Sequence, residues 1–300
     1  MDQLAQQLVN GLAGGSIYAL IALGYTMVYG VLRLINFAHG DVYMVGAMSA
    51  YYLAHGLGFA MAPSLPGFII VMGLSMVVCA LLGALIERVA YRPLRRQPRW
   101  AMLTTAIGVS MLLEYGGQAV FGADPKFFPQ LIESAPALRL GGAVVTNIDL
   151  LIFTVSLVLM LGLRWFVYRT RAGMALRAVS VNVDAAALMG INVNTIIAMT
   201  FMIGSALAAA AGAMVGLRNP KIEPLMGLMP GIKAFVAAVL GGIGNFPGAV
   251  AGGLLMGVSE TLVAAYISST YRDAVAFIIL IAVLLVRPAG LFGSVTVEKV

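Results

Sequence analysis

The chain predicts an all-α polytopic membrane protein of about 8 to 10 transmembrane or re-entrant helices. Three observations carry this. Of its residues 61% are hydrophobic and only 10% charged, with a mean hydropathy of +0.98, which excludes a soluble globular domain. Apolar runs long enough to span a bilayer recur along the whole length. Arginine is concentrated in two short loops between those runs. No stretch is left over for a separate soluble domain, so residues 1–300 read as one membrane domain.

Taken in order, the predicted segments are Leu8–Gly30, Leu34–Ala54, Pro66–Ile86, Ala101–Val120, Leu150–Val167, Val193–Gly216, Met229–Ile243, Pro247–Ile267 and Ala274–Val286. Met229–Ile243 is short enough to be re-entrant. Arg88, Arg92, Arg95, Arg96 and Arg99 follow the third segment, and Arg164, Arg169, Arg171 and Arg177 surround the end of the fifth. Arginine-rich short loops stay in the cytoplasm. The stretch Phe121–Asp149 balances Lys126 and Arg139 against Asp124, Glu133 and Asp149, and is placed outside. Counting from there puts Arg33 inside and the N-terminal tail outside. Arg287 and Lys299 then fall inside only if Met229–Ile267 turns inward at Asn245-Phe246-Pro247-Gly248.

The opening apolar run is too long, and its flank too poor in basic residues, for a cleavable signal peptide. A single cysteine, Cys79, lies within a span, so neither a disulfide framework nor a zinc site is expected. The net charge of +6 reports topology and contact with anionic lipid; there is no soluble surface for nucleic acid. No Gly-Lys dipeptide occurs, so there is no phosphate-binding loop, and metal-ligand spacing is absent. The chain is not expected to be an enzyme, to have catalytic residues or to bind a cofactor. ATP and its magnesium, if used, would sit on other subunits.

Glycine pairs at Gly212/Gly216, Gly248/Gly252 and Gly253/Gly257 are spaced for close helix approach. Gly241, Gly242 and Gly244, ahead of Pro247, break a helix where a translocation path is a natural use. Asn36, His39 and Asp41 follow Arg33 closely and read as interfacial caps or snorkelling groups. A proton relay is disfavoured because His39 and Asp41, two residues apart, do not face each other on a helix, and Asn36 and His39 are kept as candidate path residues. Glu114 and Glu260 lie deep in spans and either line the path or satisfy a neighbouring helix. Lys233, at the start of a segment, is expected to reach the interface.

The polar interruption Arg169–Asn194 is set between long apolar runs and reads as a folded cytoplasmic docking element. Asn182 is placed to cap a helix from about Val183 to Met189, with Asp184 in its first turn and Gly190 ending it. Arg177 and Asp184, seven apart, would share one face with Ser180, and Leu176, Val179 and Val183 the other. An amphipathic helix resting on the bilayer is the plainer use of such a stretch.

Asp184-Ala185-Ala186 with Gly190 resembles the coupling loop of bacterial ABC-importer permeases, with Asp where Glu is usual. The segments YALIALGYTMVYG at Tyr18–Gly30, INFAHGDVYM at Ile35–Met44, ERVAYRPL at Glu87–Leu94, LMGIN at Leu188–Asn192, KAFVAAVLGGIG at Lys233–Gly244 and VEKV at Val297–Val300 are similar to LivH-type permeases of branched-chain amino acid importers. The resemblance runs nearly end to end. It implies the ABC-importer permease fold in a bacterial inner (cytoplasmic) membrane. It also implies a homologous second permease subunit, two ABC ATPase subunits and a periplasmic substrate-binding protein. Transport would be by alternating access, with Arg177, Asp184, Ala185, Ala186 and Gly190 forming the coupling element. Two features depart from the family pattern: Asp184 is a methylene shorter than Glu, and the outward stretch Leu217–Pro224 is unusually charged. The expected cargo is a branched-chain or other hydrophobic amino acid. A urea or short-amide permease of the same family is the first alternative. A stand-alone ion-coupled carrier is the second, and it is disfavoured by the lack of an evident ion site.

Overall fold

The computed structural model describes residues 2–95, 97–140 and 142–293. Arg96 and the VEKV segment with Lys299 lie outside them. Helix α1 runs Asp2–Leu32, α2 His39–Gly56, α3 Leu65–Ile86, α4 Arg99–Phe121, α5 Asn147–Arg169, α6 Arg171–Val181, α7 Val183–Leu188 and α8 Val193–Arg218. The chain finishes with α9 at Leu228–Gly241, α10 at Phe246–Tyr266 and α11 at Ala274–Val286. The helix starts follow local chemistry. Ser64, Asn192 and Asn245 each accept a backbone N–H three residues on, and Thr146 and Asp149 form a reciprocal capping box at α5.

Helices α1 and α8 form the centre, with 78% and 72% of their most apolar windows buried, against 33% for α3 and 22% for α5, whose outer faces are left for lipid. Among the described residues five helices are long and apolar enough to cross a membrane, and α9 and α11 are shorter apolar helices. Small residues set the seams. A β-carbon on Gly15 of α1 would come within 2.8 Å of the Leu254 backbone of α10, and one on Gly11 within 2.7 Å of Val258. On α10, Gly253 abuts Ala19 and Gly257 abuts Gly15, while Gly252 and Gly248 abut α9 at Ala237 and Gly241. Gly212 rests on the α2 backbone and Gly216 on the Phe128 ring. All three predicted glycine pairs therefore serve close packing, where dispersion replaces the missing hydrophobic drive.

Short strands, which an all-helical reading did not anticipate, stitch the outward loops. Here β1 (Lys126–Phe127) pairs antiparallel with β4 (Lys221–Ile222), and β2 (Pro136–Leu140) with β3 (Ala143–Thr146). The β1–β4 pairing puts the 121–149 stretch and the charged stretch after α8 on one face, as the arginine-based orientation requires.

The second predicted segment is corrected. Its helix begins at His39, not Leu34, because the chain first turns through Arg33, which takes φ +52°, and Asn36, which accepts from the Tyr91 hydroxyl at 2.8 Å. His39 packs against Gly24, eight residues or about 12 Å along α1 before its end, so α2 starts well inside the bundle. The first turns of α2 and α9 meet there: a β-carbon on Gly40 would lie 2.6 Å from the Gly227 carbonyl and 2.9 Å from Gly231. From that junction α2 and α9 run toward opposite ends of the bundle, Tyr43 of α2 lining one cavity and Val239 of α9 another. Helix α9, of 14 residues, is only about 21 Å long and does not cross a bilayer by itself.

Candidate functional site

Two regions hold the polar side chains that an apolar bundle has reason to keep. One is the arginine-rich loop between α5 and α8. Thr170 accepts from the Gly173 amide to start α6, which buries Gly173, Leu176 and Val179. Asn182 ends α6 and starts α7, its side chain accepting from the Ala185 amide at 3.0 Å. Gly190 closes α7 at φ +83°, a conformation costly for any residue with a β-carbon. Asp184 stands in the first turn and Ala186 is buried. The break at Asn182 overturns the single amphipathic face: Arg177 belongs to α6, its guanidinium 5.3 Å over the Tyr168 ring, and Val183 is exposed rather than buried with Leu176 and Val179. At the tip, Leu188 and Met189 are 88% and 83% exposed, an apolar knob left uncovered by the described residues.

The loop rests on a buried ionic anchor. Glu87, fully buried at the π-helical end of α3, accepts from Arg92 at 3.0 and 3.3 Å and pairs with Arg95. Arg95 also donates to Asn194 at 2.8 Å, linking the ERVAYRPL segment to the first turn of α8, just after α7. Burial pulls the Arg95 guanidinium below its ordinary pKa.

The second region is a polar cavity of about 730 Å³ at the end of the bundle that carries β4, between the first half of α1, the end of α8, the start of α9 and the end of α10; the arginine-based orientation would place it outside. Lys233 and Glu260 line it, 5% and 1% exposed, and their Nζ–Oε1 separation is 3.0 Å. Lys233 also reaches Asp273 at 2.6 Å, and Arg272 pairs with Glu260 Oε1. Burial works against the Arg272 charge, but Glu260 outweighs it and holds the guanidinium above its ordinary value. The interfacial reading of Lys233 is thus corrected: its stem points into the bundle because two carboxylates from α10 and the next loop await it there. Sequence reasoning missed Arg218, Arg272 and Asp273 as members of this cluster. The available signal was that Lys233 and Glu260 are lone opposite charges in neighbouring apolar runs.

The remaining candidates are scattered. Asn36, His39 and Asp41 are buried, at 3%, 1% and 2% exposure, and so are not interfacial caps. His39 sits edge-on to Tyr25, 4.7 Å between ring centroids, and Asp41 accepts from Ser110 of α4. Glu114, one turn beyond Ser110, is half-buried, with no ion pair among the described residues. Gly241 is packed on Gly248, and Gly242, at φ +97°, lies against Gly290 and Gly293. Backbone bonds Leu291 N–H to Leu240 O and Phe292 N–H to Gly241 O seal that turn. Gly244 lines a smaller cavity of about 560 Å³ at the opposite end with Tyr29, Tyr168 and Pro247, the inward side by the same orientation argument. Between the two cavities lies the packed junction of Tyr25, His39, Gly40, Gly227 and Gly231.

Residues 7–284 match the family described as branched-chain amino acid transport system, permease component. The chain belongs to this family. It is 46% identical over 299 residues to the high-affinity branched-chain amino acid transport system permease protein BraD of Pseudomonas aeruginosa, covering 98% of this chain and 97% of that one. To the corresponding LivH permease of Escherichia coli it is 42% identical, again covering 98% and 97%. A probable branched-chain amino acid transport permease protein LivH of Methanocaldococcus jannaschii is 30% identical, covering 94% and 91%. The protein is therefore a multi-pass permease component that works with partners in a transport complex, and the resemblance seen in the sequence motifs is the family's own.

Proposed function

We propose that this permease forms half of the membrane channel of an ATP-driven importer and passes branched-chain or other hydrophobic amino acids across a bacterial inner membrane. The observation that carries the coupling reading is the α7 knob: a capped six-residue helix, closed by Gly190, that presents Leu188 and Met189 uncovered on the arginine-rich face. Apolar side chains held in water by a purpose-built cap mark a contact surface. Two ATPase subunits would close on this knob and its counterpart in a homologous second permease, driving the pair between outward- and inward-open states. A periplasmic binding protein would load the cargo from outside. The names of the relatives support the cargo, and a polar outward cavity and a smaller inward one, separated by a packed junction, support alternating access.

The test is uptake and ATP hydrolysis measured together in proteoliposomes holding the complete assembly. Gly190→Pro or Asp184→Arg is expected to leave membrane insertion intact and cut uptake per ATP hydrolysed by about tenfold or more. Normal coupling in both variants, or uptake by this chain alone without ATP, would overturn the proposal.

A further inference from the structure

Two charged residues on the wall of the larger cavity each keep a buried atom without a partner of good hydrogen-bond geometry among the described residues. Glu260 uses Oε1 for both Lys233 and Arg272, while its buried Oε2 has no partner of good hydrogen-bond geometry among the described residues, the Tyr18 hydroxyl on the same wall interacting with this carboxylate as well. Arg218 donates from Nη2 to the Asn10 carbonyl at 2.9 Å, and its buried Nη1 likewise has none. Both residues line the same cavity. A bare carboxylate oxygen and a bare guanidinium nitrogen in a low-dielectric pocket cost free energy that a ligand carrying both complementary charges recovers.

Resting on the amino-acid reading above, we propose that this cavity is a binding site for the zwitterionic head of an α-amino acid, within the permease itself. Glu260 Oε2 accepts from the ammonium and Arg218 Nη1 donates to the carboxylate. Ile17, Met226 and Met229 line the same cavity and offer apolar surface to the side chain. The charge inventory fits a zwitterion better than its fragments. Arg218, Lys221, Lys233 and Arg272 face Glu260 and Asp273 around the cavity, so a simple amine meets net repulsion. A simple carboxylate leaves Glu260 Oε2 bare. A neutral polyol leaves both charges uncompensated. The wall is also shaped for occupancy: a β-carbon on Gly14 would meet only Arg218 Nη1, at 3.9 Å, and otherwise project into open space.

The experiment is saturation-transfer NMR on the assembled transporter in nanodiscs, without binding protein. The probes are L-leucine, 4-methyl-2-oxopentanoate, which lacks the ammonium, and isopentylamine, which lacks the carboxylate. Wild type is expected to prefer leucine over either analogue by roughly tenfold or more, the worth of one charge-assisted hydrogen bond. Glu260→Gln is expected to abolish the preference over the keto acid, and Arg218→Gln the preference over the amine. Glu260→Asp is expected to keep both preferences, and Gly14→Val to weaken all three probes. No discrimination in the wild type, or discrimination unchanged in Glu260→Gln and Arg218→Gln, overturns the site. ATP-driven leucine uptake by the complete wild-type system separates the two ideas. Uptake without NMR discrimination removes only this site, whereas absence of any amino-acid uptake removes the functional reading beneath it.

Discussion

Replacing Gly257 with alanine is expected to pry apart the seam between α1 and α10. A β-carbon there would run into the Gly15 backbone and the Gly11 carbonyl of α1, atoms that no rotamer change can move. Relief requires the two helices to separate along a contact that Gly11, Gly15, Gly253 and Gly257 all exploit. Overpacking of this kind costs about 1–3 kcal/mol, and the middle of that range shifts the unfolded-to-folded ratio roughly thirtyfold. Alanine at Gly162 of α5 is the reference, because that position is exposed, a β-carbon there meets nothing within 4 Å, and helix propensity gains up to about 1 kcal/mol. Because Gly257 is also inside a helix, that gain is common to both, and the two variants should differ by the overpacking cost, about 2 kcal/mol. Thermal aggregation and SDS titration of the detergent-solubilised protein measure the difference. Since Glu260 follows Gly257 by one turn and Gly14 adjoins Gly15, the seam also sets the outward cavity, and Gly257→Ala should reduce uptake as well. Equal stability of the two variants would refute the claim that backbone contact holds this seam.

Two further outcomes follow from the same packing. Glu87→Gln should destabilise the protein by about 1–3 kcal/mol, because Arg95 loses its buried counter-charge while the more exposed Arg92 stays hydrated; replacing Glu87 and Arg95 together by methionine should cost less, and denaturant titration distinguishes the two. Cys79, buried on α3, should resist maleimide in the folded protein, so that single cysteines at Met61 (94% exposed) and Leu188 (88% exposed) report topology cleanly. In intact spheroplasts a membrane-impermeant maleimide should label the first and spare the second, and the reverse pattern would invert the orientation.

Much of the architecture was legible because lipid imposes simple rules. Span length, arginine in short loops and glycine spacing each answer to one physical requirement, so they survive in one dimension. The cap of α7 was legible for the same reason: Asn182, Asp184 and Gly190 act within a few residues of one another. The short outward strands were hidden because two-residue strands carry no period, and the pairing of Lys126 with Ile222 spans nearly the whole middle of the chain. The late start of α2 was hidden because its cause, the Tyr91 hydroxyl on Asn36, lies on another helix.

By itself the sequence determined the class, the family motifs and the capped helix after Asn182, all of which depend on neighbours in the chain or on the bilayer as solvent. Only the tertiary structure decided which charges meet. Lys233, Glu260 and Arg272 gather around one cavity because α9 and α10 pack as an antiparallel pair against α1, and Arg218 joins them from the end of α8. Charge partnership inside a membrane protein is set by helix packing across distant segments, and a pattern of 3.6 residues contains no record of it.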